Sequence, residues 1–192
     1  MTGPHHAAAA AITALRYNGA NMDVALHWLS AWRRDRPPTR NSFDIDALWQ
    51  YKPAMMLCRV VKDKSLTCVH GGAFLRIALG FDISGRNLLA LFPEDKRAGE
   101  LERAWAICEG AITVRYRKFA SKDGQEVLAQ GIALPFTGED AEGGRHFLMH
   151  TNWRPVGSDW IMGNVDVDIQ NATDRDMISF MEPARMSQTV NL

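Results

Sequence analysis

Few residues of this 192-residue chain have the type and spacing to do chemistry, and two histidines come first. His146 and His150 are four positions apart in a segment of strand-like composition, so their imidazoles share one face. Two imidazoles on one face are part of a typical zinc site. No cysteine or acidic residue stands near them at a fixed ligand spacing, and we therefore expect no metal.

Catalytic motifs with a fixed spacing are absent from the sequence. The nucleophile elbow, the phosphate-binding loop, the dinucleotide fingerprint and the HExxH zinc helix do not occur. An enzyme would have to recruit scattered groups such as Asp82, Tyr116 and His146. We therefore expect a protein that is not an enzyme.

Two further motifs are incomplete. Residues 164–168 resemble the start of a calcium loop, but Ile169 replaces the loop glycine and Arg175 stands at the terminal glutamate position. The Arg33-Arg34 pair and residues 82–85 resemble a cyclic-dinucleotide motif in which the last glycine is Asn87. Neither ligand is expected.

Charge and cysteine content limit the class of protein. Lys+Arg and Asp+Glu number 22 each, which argues against a strongly electrostatic nucleic-acid binder. Cys58, Cys68 and Cys108 form no CxxC pair and lie in apolar stretches, as buried thiols of a reducing compartment do. No apolar run is long enough to span a membrane, and the alanine-rich start lacks a basic signal-peptide region. We expect a cytoplasmic protein without membrane insertion.

The elements that must position these groups can be predicted from periodicity. Residues 1–20 are of low complexity and are expected to be disordered, and residues 21–52 hold a flanking helix to about Arg34 and a connector. Residues 53–156 form the core, with predicted strands at 54–61, 65–70, 111–120, 126–136 and 145–156. Short helices and one helix from 93 to about 109 lie between the second and third strands. In the partly disordered extension 157–192 we expect an edge strand at 165–169 and a short helix that Asp174 caps.

The order of these elements predicts an α+β fold. Five antiparallel strands are split two and three around a helical insert, so the sheet has one face open and one covered by helices. The space between the sheet and the insert is the natural place for a ligand.

This layout is that of the PAS fold, and a glycine motif makes the resemblance more specific. Residues 70–88 resemble the signature G…R…GxD(L/I)(T/S)GxxL of a bacterial family of short, standalone single-PAS-domain proteins of the alphaproteobacterial type (PAS_5-like). Residues 29–38, with their RRDRPP run, are similar to the helix that precedes the family's first strand. Residues 133–136 match its LPL strand ending. The resemblance covers about residues 23–155.

The resemblance implies a function in signalling. Members of this family look like signal-transduction components, several of them associated with histidine-kinase circuits. It also implies a homodimer, since PAS domains often pair through the helix before the first strand. The apolar stripe of that helix either packs on the open face of the sheet or forms such a seam, and its residues are Ala25, Trp28, Leu29 and Trp32.

The glycine motif itself has a structural role. Gly80 and Gly85 suit sharp turns that need a positive φ, and Asp82 and Ser84 can bond backbone N–H groups or cap the next helix.

The lining of a ligand pocket can be nominated from apolar positions around the insert, although a filled core explains the same residues. The candidates are Cys58, Val69, Phe74, Leu79, Leu88, Trp105, Val114, Tyr116 and Leu148. Alternation along β-like residues 112–118 puts Val114 on the apolar face and Arg115 and Arg117 on the other, which predicts solvent-facing arginines. Arg59 and Asn152 are open to either side.

No cofactor is expected beyond a small apolar or metabolite ligand. Residues 73–109 contain no histidine for a haem, and Cys108 lacks the neighbour of a flavin-photochemical cysteine, so we expect neither haem nor flavin.

Three functions are consistent with the sequence. The first is a non-enzymatic PAS adaptor that acts in trans on histidine kinases or scaffolds, in two-component and possibly cell-cycle circuits, with no nucleic acid as partner. The second is a small-molecule sensor, and the third is a small enzyme that uses the same cavity. The adaptor hypothesis predicts that alanine at Trp28 and Trp32 abolishes partner binding.

Overall fold

One antiparallel sheet runs through the whole of the computed structural model, which describes residues 4–14, 19–34, 36–120, 126–155 and 173–180. Its six strands follow the order β2-β1-β5-β4-β3-β6. They are β1 (Met55–Val61), β2 (Ser65–Gly71), β3 (Ile112–Ala120), β4 (Glu126–Glu139), β5 (Arg145–Pro155) and β6 (Thr173–Phe180). The helices are α1 (Pro4–Ala14), α2 (Gly19–Ser30), α3 (Ala73–Leu79) and α4 (Glu94–Cys108). Short 3-10 turns lie at Arg40–Ser42, Asp46–Leu48, Lys52–Ala54 and Leu88–Leu91.

The predicted core of five strands and a helical insert is confirmed. Each of these strands and helices begins and ends within three residues of its predicted bounds. Local chemistry explains the agreement, because α3 ends at Gly80 in the left-handed conformation (φ 74°) and α4 carries Glu94 and Asp95 in its first turn. The predicted Asp-Gly turn at 123–124 lies outside the described residues.

The C-terminal helix was a wrong prediction. Residues from Asp174 onward form β6, which pairs antiparallel with β3 from Ile112↔Phe180 to Lys118↔Thr173. The edge of β3 carries unpaired backbone N–H and C=O groups, and pairing with them outweighs a short helical period. The strand expected at 165–169 and the calcium-like residues 164–168 lie outside the described residues.

The N-terminal segment also departs from its prediction of disorder. Residues 4–14 form α1, whose Ile12 is fully buried and whose Ala8 is nearly so. The following helix, α2, starts at Gly19 and ends at Ser30, earlier than predicted. Its extension is blocked because Arg33 and Arg36 exchange backbone N–H···O bonds of 3.1 Å.

Both faces of the sheet are covered, which corrects the prediction of an open face. On one face, buried residues that include Met56, Cys58, Phe74, Leu89, Ile107 and Phe147 join the sheet to α3, the Leu88–Leu91 turn and α4, and we name this cluster the cavity-face core. On the other face, buried residues that include Ile12, Val24, Trp28, Val114, Leu134 and Leu148 join the sheet to α1 and α2, and we name this cluster the helix-face core. Neighbours on β5 alternate between them, since Phe147 belongs to the first core and Leu148 to the second. Of the described helices, none is long and apolar enough to cross a membrane.

Candidate functional site: a cavity between the sheet and the helical insert

A cavity of about 180 Å³ lies between the sheet and the helical insert. Its walls come from β1, β2, β3, β4 and β5 on one side and from α3, the Leu88–Leu91 turn and α4 on the other. Most of the lining is apolar, including Met56, Cys58, Leu66, Leu75, Leu79, Ile83, Leu88, Leu91, Phe92, Ala104, Ile107, Ile132, Phe147 and Met149. The polar lining side chains are Glu100, Arg103, Thr113, Arg115 and Thr151.

The floor of the cavity contains a row of three residues across neighbouring strands, here named the central row. Arg115 on β3 pairs with Gly131 on β4, and Gly131 pairs with Thr151 on β5. All three line the cavity. A glycine between an arginine and a threonine leaves a gap in the side-chain layer at this point.

One end of the cavity is charged. Both Nη atoms of Arg115 donate to the Glu100 carboxylate at 2.8 Å, and Arg103 Nη1 donates to Glu100 Oε1 at 2.7 Å. The Glu100 side chain is 7% exposed, against 21% for Arg115 and 38% for Arg103. We name these three residues the charged pole. Its pairing is of the bidentate kind that suits a buried carboxylate.

Sequence reasoning missed Glu100, although a signal for it existed. On α4 the buried positions are Glu100, Ala104, Ile107 and Cys108, a single stripe at helical spacing. Leu101, Trp105 and Cys108 also recur at helical spacing, so the sequence offers two candidate stripes for the buried face of α4. An acidic residue in register with buried apolar positions requires a partner, which here is Arg115.

The nominated pocket residues divide between the two faces. Cys58, Leu79 and Leu88 line the cavity. Phe74 belongs to the cavity-face core without lining the cavity, and Val69 is half-buried on β2. Trp105 does not line the cavity. Lys62 Nζ and Arg145 Cζ lie over its ring, at 5.5 and 4.9 Å from the ring centre.

The prediction that Val114 and Leu148 line the cavity was wrong, because both lie in the helix-face core, on the far side of the sheet from the cavity. The error came from assuming one covered face, since a sheet covered twice has an apolar layer on each side. The side chain of Tyr116 is outside the described part of the chain.

The same error put Arg115 of β3 on the wrong face. Its side chain lines the cavity together with Thr113, whereas the prediction was a solvent-facing arginine. Arg59 faces away and donates to Asp140 at 2.6 and 3.0 Å, which holds the pKa of that carboxyl well below its usual value. The side chain of Arg117 is not among those described.

The proposed interface stripe lies mostly inside the protein. Ala25 and Trp28 are fully buried and Leu29 is nearly so, all three in the helix-face core. Trp28 Nε1 donates to the Pro135 carbonyl at 2.8 Å, and Trp32 packs edge-on against the Trp28 ring. This stripe was predicted either to pack on the sheet or to form a dimer seam, and in the structure it packs on the sheet.

A buried set of neutral polar groups, here named the polar joint, fastens α2 to the sheet. Asn21 Nδ2 donates to the Gln130 carbonyl at 3.0 Å, so Asn21 Oδ1 accepts the Nδ1 proton of His150 at 2.5 Å. Burial lowers the pKa of His150 to about 4. Asn152 follows His150 by two residues on β5, so it lies on the same face of the sheet, and it is also buried.

The two histidines therefore lie beside different residues and do not share a site. His150 belongs to the polar joint, and His146 lies 3.9 Å from Asp140, with its pKa lowered mainly by burial. Among the described residues, no group of three or more His, Cys, Asp or Glu could hold a metal ion.

The glycine motif forms the predicted turns at the rim of the insert. Gly80 and Gly85 have φ of 74° and 75°. Asp82 Oδ1 accepts from the Ser84 N–H at 2.9 Å, which lowers the pKa of Asp82, and Ser84 Oγ accepts from the Gly71 N–H at 3.1 Å. The motif ties the insert to the end of β2.

The cysteines are free and buried, as expected. Burial raises the pKa of the Cys68 and Cys108 thiols to about 12 and raises that of Cys58 well above its ordinary value. Thiols in this state are poor nucleophiles.

Two of the three scattered polar groups lie on opposite sides of the sheet. Asp82 is exposed in the turn after α3, on the cavity side of the sheet, whereas His146 shares the opposite face with Leu148.

Strand order and insert together define the class of protein. An antiparallel sheet ordered β2-β1-β5-β4-β3, with its helices inserted between β2 and β3, is the architecture of a PAS domain. The chain therefore has the PAS fold, here with β6 added beside β3.

Comparison with known proteins yields distant structural neighbours. No protein-family model matches the sequence, and no curated protein does. The chain is similar to a light-oxygen-voltage domain studied with a flavin analogue, at 20% identity over 60% of this chain and 85% of that one, TM-score 0.38. It is similar to the PAS domain of an HTR-like protein from Haloarcula marismortui, at 20% identity over 58% and 88%, TM-score 0.34.

A third neighbour is VqmA of Vibrio cholera in a complex with ligand and DNA. The identity is 14% and the TM-score 0.38, and 60% of this chain is covered. The match spans 53% of that chain, about half of its length.

Proposed function

We propose that this protein is a signalling PAS protein that senses a small molecule in the cavity between the sheet and the insert. The observation that carries the proposal is the cavity itself, about 180 Å³ with apolar walls and one charged end. Ligand sites in proteins combine a mostly apolar lining with a few polar groups that orient the ligand, as this one does.

The size of the cavity favours a bound ligand over a filled core. An engineered apolar cavity of about 150 Å³ binds benzene. The apolar walls of the space favour an apolar molecule over water. A molecule that binds there stabilises the folded protein, so occupancy and stability are coupled.

The ligand is smaller than a typical cofactor. Sites for drug-sized molecules measure about 300–1,000 Å³. The cavity found here suits a molecule of about 7 non-hydrogen atoms, by comparison with benzene, which has six, in a slightly smaller space. Haem and flavin are therefore not proposed.

The signal passes to partner proteins in trans, and catalysis is not part of the proposal. The resemblance to standalone PAS proteins of the alphaproteobacterial type supports histidine kinases or scaffolds of two-component circuits as partners, in the cytoplasm. A homodimer through Trp28 is not proposed, because that side chain is buried within the chain. Self-association would use other surfaces.

Native mass spectrometry of the purified protein, with a denatured control, tests the sensor proposal. A non-covalent adduct that is lost on denaturation supports it, and the adduct mass begins to identify the signal. Ala104→Leu reduces the cavity from α4 and should remove the adduct, while Ala47→Leu, at an exposed position, should keep it.

The opposite result is equally clear. A protein without adduct, whose melting temperature no member of a panel of small acids, amides, alcohols and amines raises, contradicts the sensor proposal. An adaptor whose cavity is empty then accounts for the structure better.

A further inference from the structure

Three alternate positions of β4 bring small side chains to the cavity floor. Ala129, Gly131 and Ala133 share one face of the strand and all line the cavity, and we name them the shelf. On the opposite wall, α4 packs over β4 and contributes Ala104 to the lining. Small side chains on both walls leave a slot between the sheet and the helix, and a slot of this shape suits a flat molecule.

The middle position of the shelf is a glycine that the backbone does not require. Gly131 does not have a positive φ. A Cβ at this position would meet Thr151 Oγ1 at 3.4 Å, which is ordinary contact, so close packing does not demand glycine either. Glycine weakens the interior of a strand, and such positions often mark the close approach of another group. Gly131 therefore opens the shelf directly beside the Thr151 hydroxyl.

The Thr151 hydroxyl is a buried polar group whose hydrogen-bonding capacity is unused within the described part of the chain. The residue is 7% exposed and lines the cavity. Its hydroxyl donates no hydrogen bond to any described residue and accepts none from one. A hydroxyl can donate one hydrogen bond and accept two, and burying it without a partner costs free energy. A ligand on the shelf can supply the missing partner.

Thr113 has a similar hydroxyl on the other side of β4. It is 8% exposed, lines the cavity and pairs with Ala133, one row away from the pair of Gly131 and Thr151. The two threonines lie on strands separated by β4, and two strand spacings amount to about 10 Å, so their hydroxyls cannot bind the same atom. Thr151 is the one beside the gap at Gly131.

We infer that the ligand is a small molecule with a flat apolar ring and one neutral hydroxyl or carbonyl group, which lies on the shelf and hydrogen-bonds to Thr151. The inference rests on the proposed sensor function and names its ligand class. A threonine hydroxyl carries no charge, so it matches a neutral donor or acceptor. The ring contacts the apolar lining from the insert, which includes Leu79 and Leu88.

Three probes of similar size separate the polar group from the ring. They are phenol, toluene and cyclohexanol, and NMR titration of the full chain at neutral pH measures their dissociation constants. Cyclohexanol carries the same hydroxyl as phenol on a thicker, puckered ring. Phenol should therefore bind about 10-fold more tightly than cyclohexanol, since overpacking a slot is costly. Equal or tighter binding of cyclohexanol contradicts a flat ligand.

Thr151→Val tests the hydrogen bond, because valine nearly keeps the shape of threonine. The affinity for phenol should fall about 5-fold, and the affinity for toluene should stay the same or rise. Thr113→Val is the matched control on the cavity floor, and Thr67→Val is the control on β2, at a half-buried residue outside the lining. Both should leave the affinity for phenol unchanged.

The melting temperature of Thr151→Val separates binding from a structural role. The hydroxyl has no partner among the described residues, so its removal should not lower the melting temperature. A clear fall would show that the hydroxyl holds the fold together, and it would contradict the inference. Gly131→Ala places a methyl group on the shelf and should weaken all three probes, and unchanged affinities would mean that the ligand does not lie over Gly131.

Failure of this inference is distinguishable from failure of the sensor proposal. If phenol and toluene bind and Thr151→Val lowers neither affinity, the cavity is a ligand site and the assignment to Thr151 is wrong. If the affinity for phenol falls only in Thr113→Val, the polar group lies on the other side of β4 and the assignment is also wrong. If no probe binds and native mass spectrometry shows no adduct, the sensor proposal fails with it.

Discussion

The two faces of the sheet bury polar groups under opposite conditions. On the helix face, the polar joint of Asn21, Gln130 and His150 is neutral and surrounded by packed side chains. On the cavity face, the charged pole of Glu100, Arg103 and Arg115 borders about 180 Å³ of space. Both sets are hydrogen-bonded, yet only one has room beside it for another molecule.

The difference separates a structural polar group from a candidate binding group. Neutral groups that satisfy one another in a closed core fix the position of α2 on the sheet. A buried ion pair is weak evidence for stability, because its desolvation offsets most of its attraction. Ionised groups at the wall of a cavity are better explained by what they can bind.

Trp28→Ala should have the largest effect, since it empties the helix-face core. Loss of a buried indole costs about 3–5 kcal/mol, and the unpaired Pro135 carbonyl adds about 1. Urea denaturation measures the change in the free energy of unfolding. Trp49→Ala, at a side chain that is 72% exposed, should change it by less than about 0.5 kcal/mol. Similar values for the two variants would mean that α2 does not pack on the sheet.

Arg115→Leu tests the cavity face in the same assay. The change removes the bidentate partner of the buried Glu100 carboxylate, and it should cost about 3–5 kcal/mol. The double variant Glu100→Leu, Arg115→Leu removes both charges and should lie within about 1 kcal/mol of the wild type. A double variant as unstable as the single one would show that the charged pole is structural.

Acid should destabilise the helix face through His150. Its pKa is about 4 in the folded protein against 6.5 as its ordinary value, so the unfolded chain binds the proton first. The stabilising contribution is complete above about pH 6.5, falls as the pH drops towards 4, and amounts to about 3 kcal/mol. Asn21 Oδ1 and the Tyr51 ring contact the imidazole, and burial is the cause of its lowered pKa.

Urea titrations at pH 7 and pH 4.5 measure this loss. His150→Gln removes the titrating group, and its stability should change less over the same interval, whereas His146 and the carboxylates contribute equally to both proteins. An identical pH dependence of the two proteins would exclude His150 as the source.

Ser84→Ala should have the smallest effect, at the rim of the cavity. It leaves the Gly71 N–H without its acceptor and should cost about 1 kcal/mol. Ser30→Ala, which removes an exposed bond to the His27 carbonyl, serves as the control with a smaller cost. If the two substitutions cost the same, the glycine motif does not hold the insert to β2.

Much of the architecture could be predicted because it is encoded locally. The left-handed Gly80 ends α3, acidic residues begin α4, and period-two segments form the strands. The candidate site was predicted less well. Of the nominated residues, Cys58, Leu79 and Leu88 line the cavity, whereas Val114 and Leu148 lie on the other face of the sheet, and Glu100 was overlooked.

Local sequence patterns specify the order of the core elements, the turns that separate them and which side chains of each strand share a face. Which of the two faces meets the insert depends on how the elements pack in three dimensions. Alternation along β3 distinguishes Val114 from Arg115 but carries no information about what covers either side. That depends on α1 and α2 packing against the sheet over more than a hundred positions of chain, as the Trp28 bond to Pro135 illustrates. The same packing left the charged pole of Glu100, Arg103 and Arg115 beside the cavity.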